Sequence, residues 1–194
     1  EKTASGVAVT VDIDGTVERI EGSHLLVAAG RRPNVDGLDL EKAGIEATAK
    51  GITVDARLRT TNKKVFAIGD VAGGLQFTHV AGCHAGVVIK NALFRLPAKA
   101  DHSTVPWVTY TAPELAQVGL TEKAAKEKGI EFNILRWPFH ENDRAQAERE
   151  TEGLVKAIVT PKGKILGCGI VGRQAGEHIQ LWVLALSKGM KVGD

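Results

Sequence analysis

Two short runs constrain this chain most, LLVAAG at residues 25–30 and VFAIGD at residues 65–70. Each is apolar almost throughout, and each closes on a glycine or on Gly-Asp. A strand that alternates apolar and polar residues buries one face. A strand apolar along its whole length must bury both, as in the parallel sheets of α/β proteins. Such strands deliver their carboxyl ends to a crevice, where side chains meet a ligand in place of a core. Both runs therefore predict inner strands of an α/β portion.

The segments between them are read by their periods. VAVTVDI (residues 7–13) alternates, Asp14-Gly15 supplies a tight turn and TVERIEG returns, which predicts an antiparallel hairpin with one buried face. GRRPNVDGLDLEKAG is rich in turn residues and leaves room for one short helix near Leu40, while GITVDARLRTT predicts two short strands. From His79 to Leu96 the spacing turns helical, with Val80, Cys83, Val87, Val88 and Leu93 sharing a broad face.

LPAKADHST then reads as a linker, broken by Pro97, Asp101 and Ser103. Beyond it the texture changes. PWVTYTAPELAQVGL predicts two strands interrupted at Pro113, and Thr121 is placed to cap the helix EKAAKEKG. EFNILRWPF, GLVKAIVT and KILGCGIVG predict three more strands, the last two joined through Pro161-Lys162-Gly163. Ala175 to Lys188 predicts a closing helix, apolar at Ile179, Leu181, Trp182, Val183, Leu184 and Leu186. Strands with helices segregated in sequence make an antiparallel α+β unit. Its last helix is apolar over more than one face, which calls for a protein partner or a second subunit.

Composition removes several classes of function. The chain has 194 residues, 43% hydrophobic and 25% charged, with a net charge of +2 and no basic stripe for nucleic acid. No apolar run approaches the roughly 18 residues of a membrane span. The two cysteines, Cys83 and Cys168, show neither CxxC nor metal spacing and read as small core residues in a reducing compartment, so the cytoplasm is expected. A start at Glu1 and an end at KVGD lead us to expect a piece of a larger protein.

Candidate chemistry concentrates at two places. Asp70, at the end of VFAIGD, can accept hydrogen bonds from ribose-type hydroxyls, and a helix starting near Phe77 to His79 would aim free N–H groups at electron-rich ligand atoms. Strand-Gly-Asp is a weak signal, and spacing alone favours a mere turn cap for Asp70. At the end of LLVAAG, Gly30 permits close backbone approach, and Arg31 and Arg32 are suited to pyrophosphate or to plain surface exposure. Among the six histidines, His79 and His84 lie five apart, off the spacing that stacks two ligands on one helix face, so no metal site is expected. No GxSxG elbow is present, and HENDRAQAE suits a solvated helix start or an interface better than a catalytic set.

In order along the chain stand LLVAAGRRPN, VFAIGD, FTHVA, VTYTAPELAQVGLTE, NDRA, GLVK, ILGCGIVG and AGEHI. This ordered set closely resembles the carboxyl-terminal half of the FAD-dependent pyridine nucleotide-disulfide oxidoreductases, especially mercuric reductases and dihydrolipoamide dehydrogenases. The resemblance implies a partial, Rossmann-like FAD/NAD(P)-binding portion, in which residues 1–30 end an NAD(P)-binding domain. Residues 31–102 would complete an FAD-binding domain, and residues 103–194 would form the interface domain of a homodimer. It implies that Asp70, after Gly69, meets the ribityl chain of FAD. Phe77 and Thr78 would approach the flavin's pyrimidine edge, His79 would match a histidine of the dehydrogenase motif, and Gly30 and Arg31 would lie near bound nucleotide. It implies FAD and NAD(P)H as cofactors and a small-molecule disulfide, dithiol or thiol-bound metal ion as substrate, with no catalytic residue in this stretch.

The departures are as informative. Both GxGxxG fingerprints, the redox-active cysteine pair and the terminal His-Pro-Thr segment of the family are absent from these residues. Gly82-Cys83-His84 replaces acidic residues common in the dehydrogenases, and CGIVG lacks their usual histidine, which leans toward the mercuric reductases. A dimerisation module without redox function and an NADH oxidase without the cysteine pair are the alternatives.

Overall fold

The computed structural model describes residues 1–194. The hairpin forms in the expected register, β1 (Val7–Ile13) against β2 (Thr16–Gly22), with Ile13 facing Thr16 across the Asp14-Gly15 turn. Its buried face does not: only Ala8 is buried, and every residue of β2 is exposed. The period-2 pattern is present, but no second layer covers it.

LLVAAG departs further from expectation. Residues 25–30 form no strand, and Leu26 and Val27 are 87% and 78% exposed. A strand apolar on both faces is stable only between neighbouring strands and helices, and none lies alongside it here. VFAIGD is also not an inner strand. Residues 58–67 fold back as a narrow ladder, with the Thr60 N–H donating to Val65 O and the Ala67 N–H to Leu58 O. Beside it, β3 (Ala47–Thr48) pairs with β4 (Gly51–Ile52), and the short helix expected near Leu40 is a 3-10 turn at Leu40–Ala43. Ile45, Ile52 and Ala67 make a small core, flanked by Val35, Leu40, Val54, Val65 and Val71.

The helix α1 runs Thr78–Ala92, ending before the predicted Leu96. Val80 and His84, one helical turn apart, are its buried residues, whereas Cys83 is exposed and Leu93 lies outside. Cys83 is thus not a core residue. The helix turns inward the stripe in which His84 finds a hydrogen-bond partner, and this rotates Cys83 to solvent.

The second half matches its reading closely. Strands β5 (Trp107–Thr109), β6 (Glu114–Gly119), β7 (Asn133–Pro138), β8 (Leu154–Val159) and β9 (Ile165–Gly172) form one antiparallel sheet, ordered β5-β6-β9-β8-β7. Between β6 and β7 lies α2 (Glu122–Glu127), whose N-cap Thr121 accepts from the Ala124 N–H at 3.1 Å. Hydrogen bonds from Lys126 and then Lys156 hold the Glu122 carboxyl at about 2, which ties α2 to β8. HENDRAQAE becomes a 3-10 turn followed by α3 (Asp143–Glu148), capped by Asn142.

The closing helix α4 (Ala175–Ser187) lies across β6 and β9. Alternate residues Ala116 and Val118 of β6, and Cys168 and Ile170 of β9, meet Ala175 and Ile179 in the main core. Burial pushes the Cys168 thiol up to about 12, so it is inert packing. Residue Gln174, preceding α4, is left-handed and offers no side-chain cap; instead Glu114 Oε2 accepts from the Gly176 N–H at 3.0 Å. A carboxylate at a helix amino end also meets the favourable end of the helix dipole. On β9's other face a Cβ at Gly169 would stand 2.7 Å from Gln117 Oε1, so a larger residue there would push the Gln117 side chain aside.

Candidate functional site

The segment from Ile68 to His79 gathers most of the residues singled out in sequence. Gly69–Ala72 is a 3-10 turn, with Gly69 buried at φ 66. A Cβ on Gly69 would reach 3.0 Å from the Ala81 Cβ of α1, a tight contact, and the left-handed φ itself favours glycine. The turn presents Asp70 outward with its side chain 39% exposed. Arg31 reaches across from the other run, donating through Nη1 to Asp70 Oδ2 at 2.8 Å and to Gln76 O at 3.4 Å. The structure therefore joins Arg31 to Asp70, which lie far apart in sequence. A pair this exposed is worth about 0–1 kcal/mol, so a ligand hydroxyl can displace it.

Next to the turn is the amino end of α1. Its N-cap residue, Phe77, has no side chain able to cap, so no side chain closes off the first-turn N–H groups that begin at Thr78. The rings of Phe77 and His79 stack, centroids 5.4 Å apart and 6° from parallel. His79 Nε2 donates to Pro106 O at 3.0 Å, at the start of the second unit. A half-open carboxylate and an uncapped helix amino end thus share one edge. The donor set suits a polyhydroxylated ligand with an electron-rich ring. Gly30, exposed at φ 108, takes part in none of these contacts.

Sequence reading missed what lies behind the turn. The Gly69 N–H donates to His84 Nδ1 at 3.1 Å, and His84 Nε2 lies 2.8 Å from His102 Nε2 in the linker. A backbone N–H can only donate, so His84 Nδ1 accepts and the ring carries its proton on Nε2. His102 Nε2 then accepts in turn. His84 is 3% exposed, and burial, then neighbouring His102, hold its pKa below the usual histidine value. The available signal was helical: four residues after Val80, His84 sits on the inward stripe.

Comparison with known proteins bears on both halves. Residues 1–85 match the family model described as pyridine nucleotide-disulphide oxidoreductase, and residues 105–194 match that family's dimerisation domain. The chain belongs to the pyridine nucleotide-disulphide oxidoreductases. Members of this family are flavoenzymes that use FAD and NAD(P)H.

Similar family members include a mercuric reductase of Bacillus cereus, 41% identical over 188 residues, covering 96% of this chain and 30% of that protein. A dihydrolipoyl dehydrogenase of Bacillus subtilis is 37% identical over 196 aligned residues, covering 100% and 42%. Among solved structures, LpdA from Mycobacterium tuberculosis superposes with a TM-score of 0.88 at 29% identity, covering 99% of this chain and 42% of that one. The HOCl-induced flavoprotein disulfide reductase RclA from Escherichia coli does so at 0.80 and 30% identity, covering 95% and 42%. The chain thus spans from 30% to 42% of the length of these family members.

Proposed function

We propose that this chain is the flavin-contacting and dimer-forming part of an FAD-dependent NAD(P)H oxidoreductase acting on a small-molecule disulfide, dithiol or thiol-bound metal ion. Residues 1–30 end its NAD(P)-binding domain, residues 31–102 complete its FAD domain, and residues 103–194 pair with a second copy. The cytoplasm is its proposed compartment. When bound, FAD would supply two-electron redox chemistry between NAD(P)H and the disulfide, dithiol or thiol-bound metal ion.

The residues present fit that cofactor. Asp70 is an acceptor able to leave its weak pair with Arg31 for ribityl hydroxyls. Gly69 keeps the backbone close to α1 there. The uncapped N–H groups that begin at Thr78 favour negative charge on the pyrimidine edge, while the Phe77–His79 stack fixes the backbone that carries them. Arg31, once displaced, and Gly30 border the nucleotide. The half-open Asp70 carboxylate beside an uncapped helix end is the observation that carries this reading.

Its test is FAD affinity of the whole protein bearing Asp70→Asn, followed by flavin fluorescence. Losing a charge-assisted acceptor, about 1.5–3 kcal/mol, is expected to weaken binding by about 10- to 100-fold with the fold intact. An unchanged affinity would contradict the assignment.

A further inference from the structure

The histidine pair behind the turn makes none of the contacts assigned to the flavin. We propose that His84 and His102 form a neutral histidine pin that positions the Gly69–Asp70 turn, and that protonating the pair releases the turn and the flavin it holds. This rests on the assignment of Asp70 to FAD.

The geometry dictates the proton count. The chain runs Gly69 N–H to His84 Nδ1 at 3.1 Å, then His84 Nε2–H to His102 Nε2 at 2.8 Å. One mobile proton satisfies it. A proton added at His84 Nδ1 turns the acceptor of the Gly69 N–H into a second donor facing it. A proton added at His102 Nε2 sets two donors against each other, 2.8 Å apart between nitrogens. Either event leaves a buried polar group unpaired, and Gly69 directly precedes the flavin-facing carboxylate.

The second histidine contact of α1 behaves differently. His79 Nε2 donates to a carbonyl, so that bond survives protonation. Acid therefore frees the turn from His84 and the linker while leaving the amino end of α1 tied to Pro106.

The surrounding charges do not cancel this response. Asp101, beside His102, has its carboxyl held low by Ser103 hydrogen bonds and, to a lesser degree, by His102. Asp70, beside Gly69, is engaged by Arg31 in this structure and by the ribityl hydroxyls in the flavin-loaded protein. Cys83 precedes His84 but points to solvent. Burial and His102 both favour the neutral His84 ring. A folded-state pKa below the unfolded value means the unfolded state takes up protons first. The pin's contribution is then complete above the unfolded histidine pKa of about 6.5 and is lost as pH falls through the lower, folded value.

The test uses the whole flavin-loaded protein and two readouts. Imidazole 15N–1H spectra at neutral pH are expected to show His84 protonated at Nε2 only and His102 unprotonated at Nε2. A proton on His84 Nδ1 would overturn the pin whatever the flavin does. FAD release on dilution, followed by flavin fluorescence, is expected to accelerate about 10-fold between about pH 7.5 and 5.5. His84→Asn retains an acceptor near Nδ1 but cannot titrate, so its release rate should vary less than about twofold over that range. Equal acceleration in this variant would refute the coupling. Loss of FAD sensitivity to Asp70→Asn would instead refute the underlying assignment, with the spectra still deciding the pin.

Discussion

Replacing Ile179 by alanine is expected to lower the stability of the carboxyl-terminal unit by about 2–5 kcal/mol, read from urea unfolding. Ile179 is 0% exposed at the centre of the main core, against Ala116, Val118, Cys168 and Ile170. The alanine variant loses the transfer energy of the missing carbons and leaves a cavity. That cavity cannot readily collapse, because one wall is the β6–β9 ladder, held in register from Glu114 opposite Gly172 to Gly119 opposite Gly167. The neighbours Ala116 and Ala175 are too short to fill it. Ile179→Val, which keeps the branch, should cost only about 0.5–1.5 kcal/mol. Equal and small effects from both variants would mean that α4 does not anchor this unit.

The second large effect lies on the opposite side of the same helix. Leu181 and Leu184 are 73% and 55% exposed, and Trp137, exposed by 57%, shares a cleft with Leu181 and Trp182. Exposed leucines cost a monomer little to keep, but a family dimerisation domain covering residues 105–194 gives them a purpose. If a second copy covers them, Leu181→Asp with Leu184→Asp places unpaired carboxylates in a dry interface, each costing several kcal/mol. The dissociation constant should rise by at least about 1000-fold, about 4 kcal/mol, with unfolding of each monomer nearly unaffected. Analytical ultracentrifugation would reveal a monomer. A persistent dimer would move the interface elsewhere.

The two halves differed in legibility for a physical reason. The period of β6, β8 and β9 could be read because each strand finds its partners, and the helix it packs on, within these residues. The Thr121 cap was equally local, set by one side-chain oxygen and one N–H. LLVAAG is apolar in the pattern of a buried strand and β1 alternates like a half-buried one, yet both lie largely uncovered, because burial belongs to the neighbours and not to the run itself. VFAIGD failed as an inner strand but delivered Asp70 where its end was expected, half-exposed beside the start of α1.

Arg31 was read for its charge. Its meeting with Asp70 depends on how the chain returns, which no local spacing encodes. His84 and His102 were hardest to see. Their contact depends on the rotation of α1 and on the path of the linker, so histidine spacing excluded a metal motif without revealing a hydrogen-bonded pair.

We propose that the Gly69–Asp70 turn and the amino end of α1 form one edge of a flavin site. A crystal structure of the whole protein with FAD tests it most directly. The expected result is an Asp70 carboxylate oxygen within about 2.6–3.2 Å of a ribityl hydroxyl, Arg31 turned away from Asp70, and the backbone near Phe77 and Thr78 facing the pyrimidine edge. FAD bound elsewhere, with the Arg31–Asp70 pair intact, would contradict it.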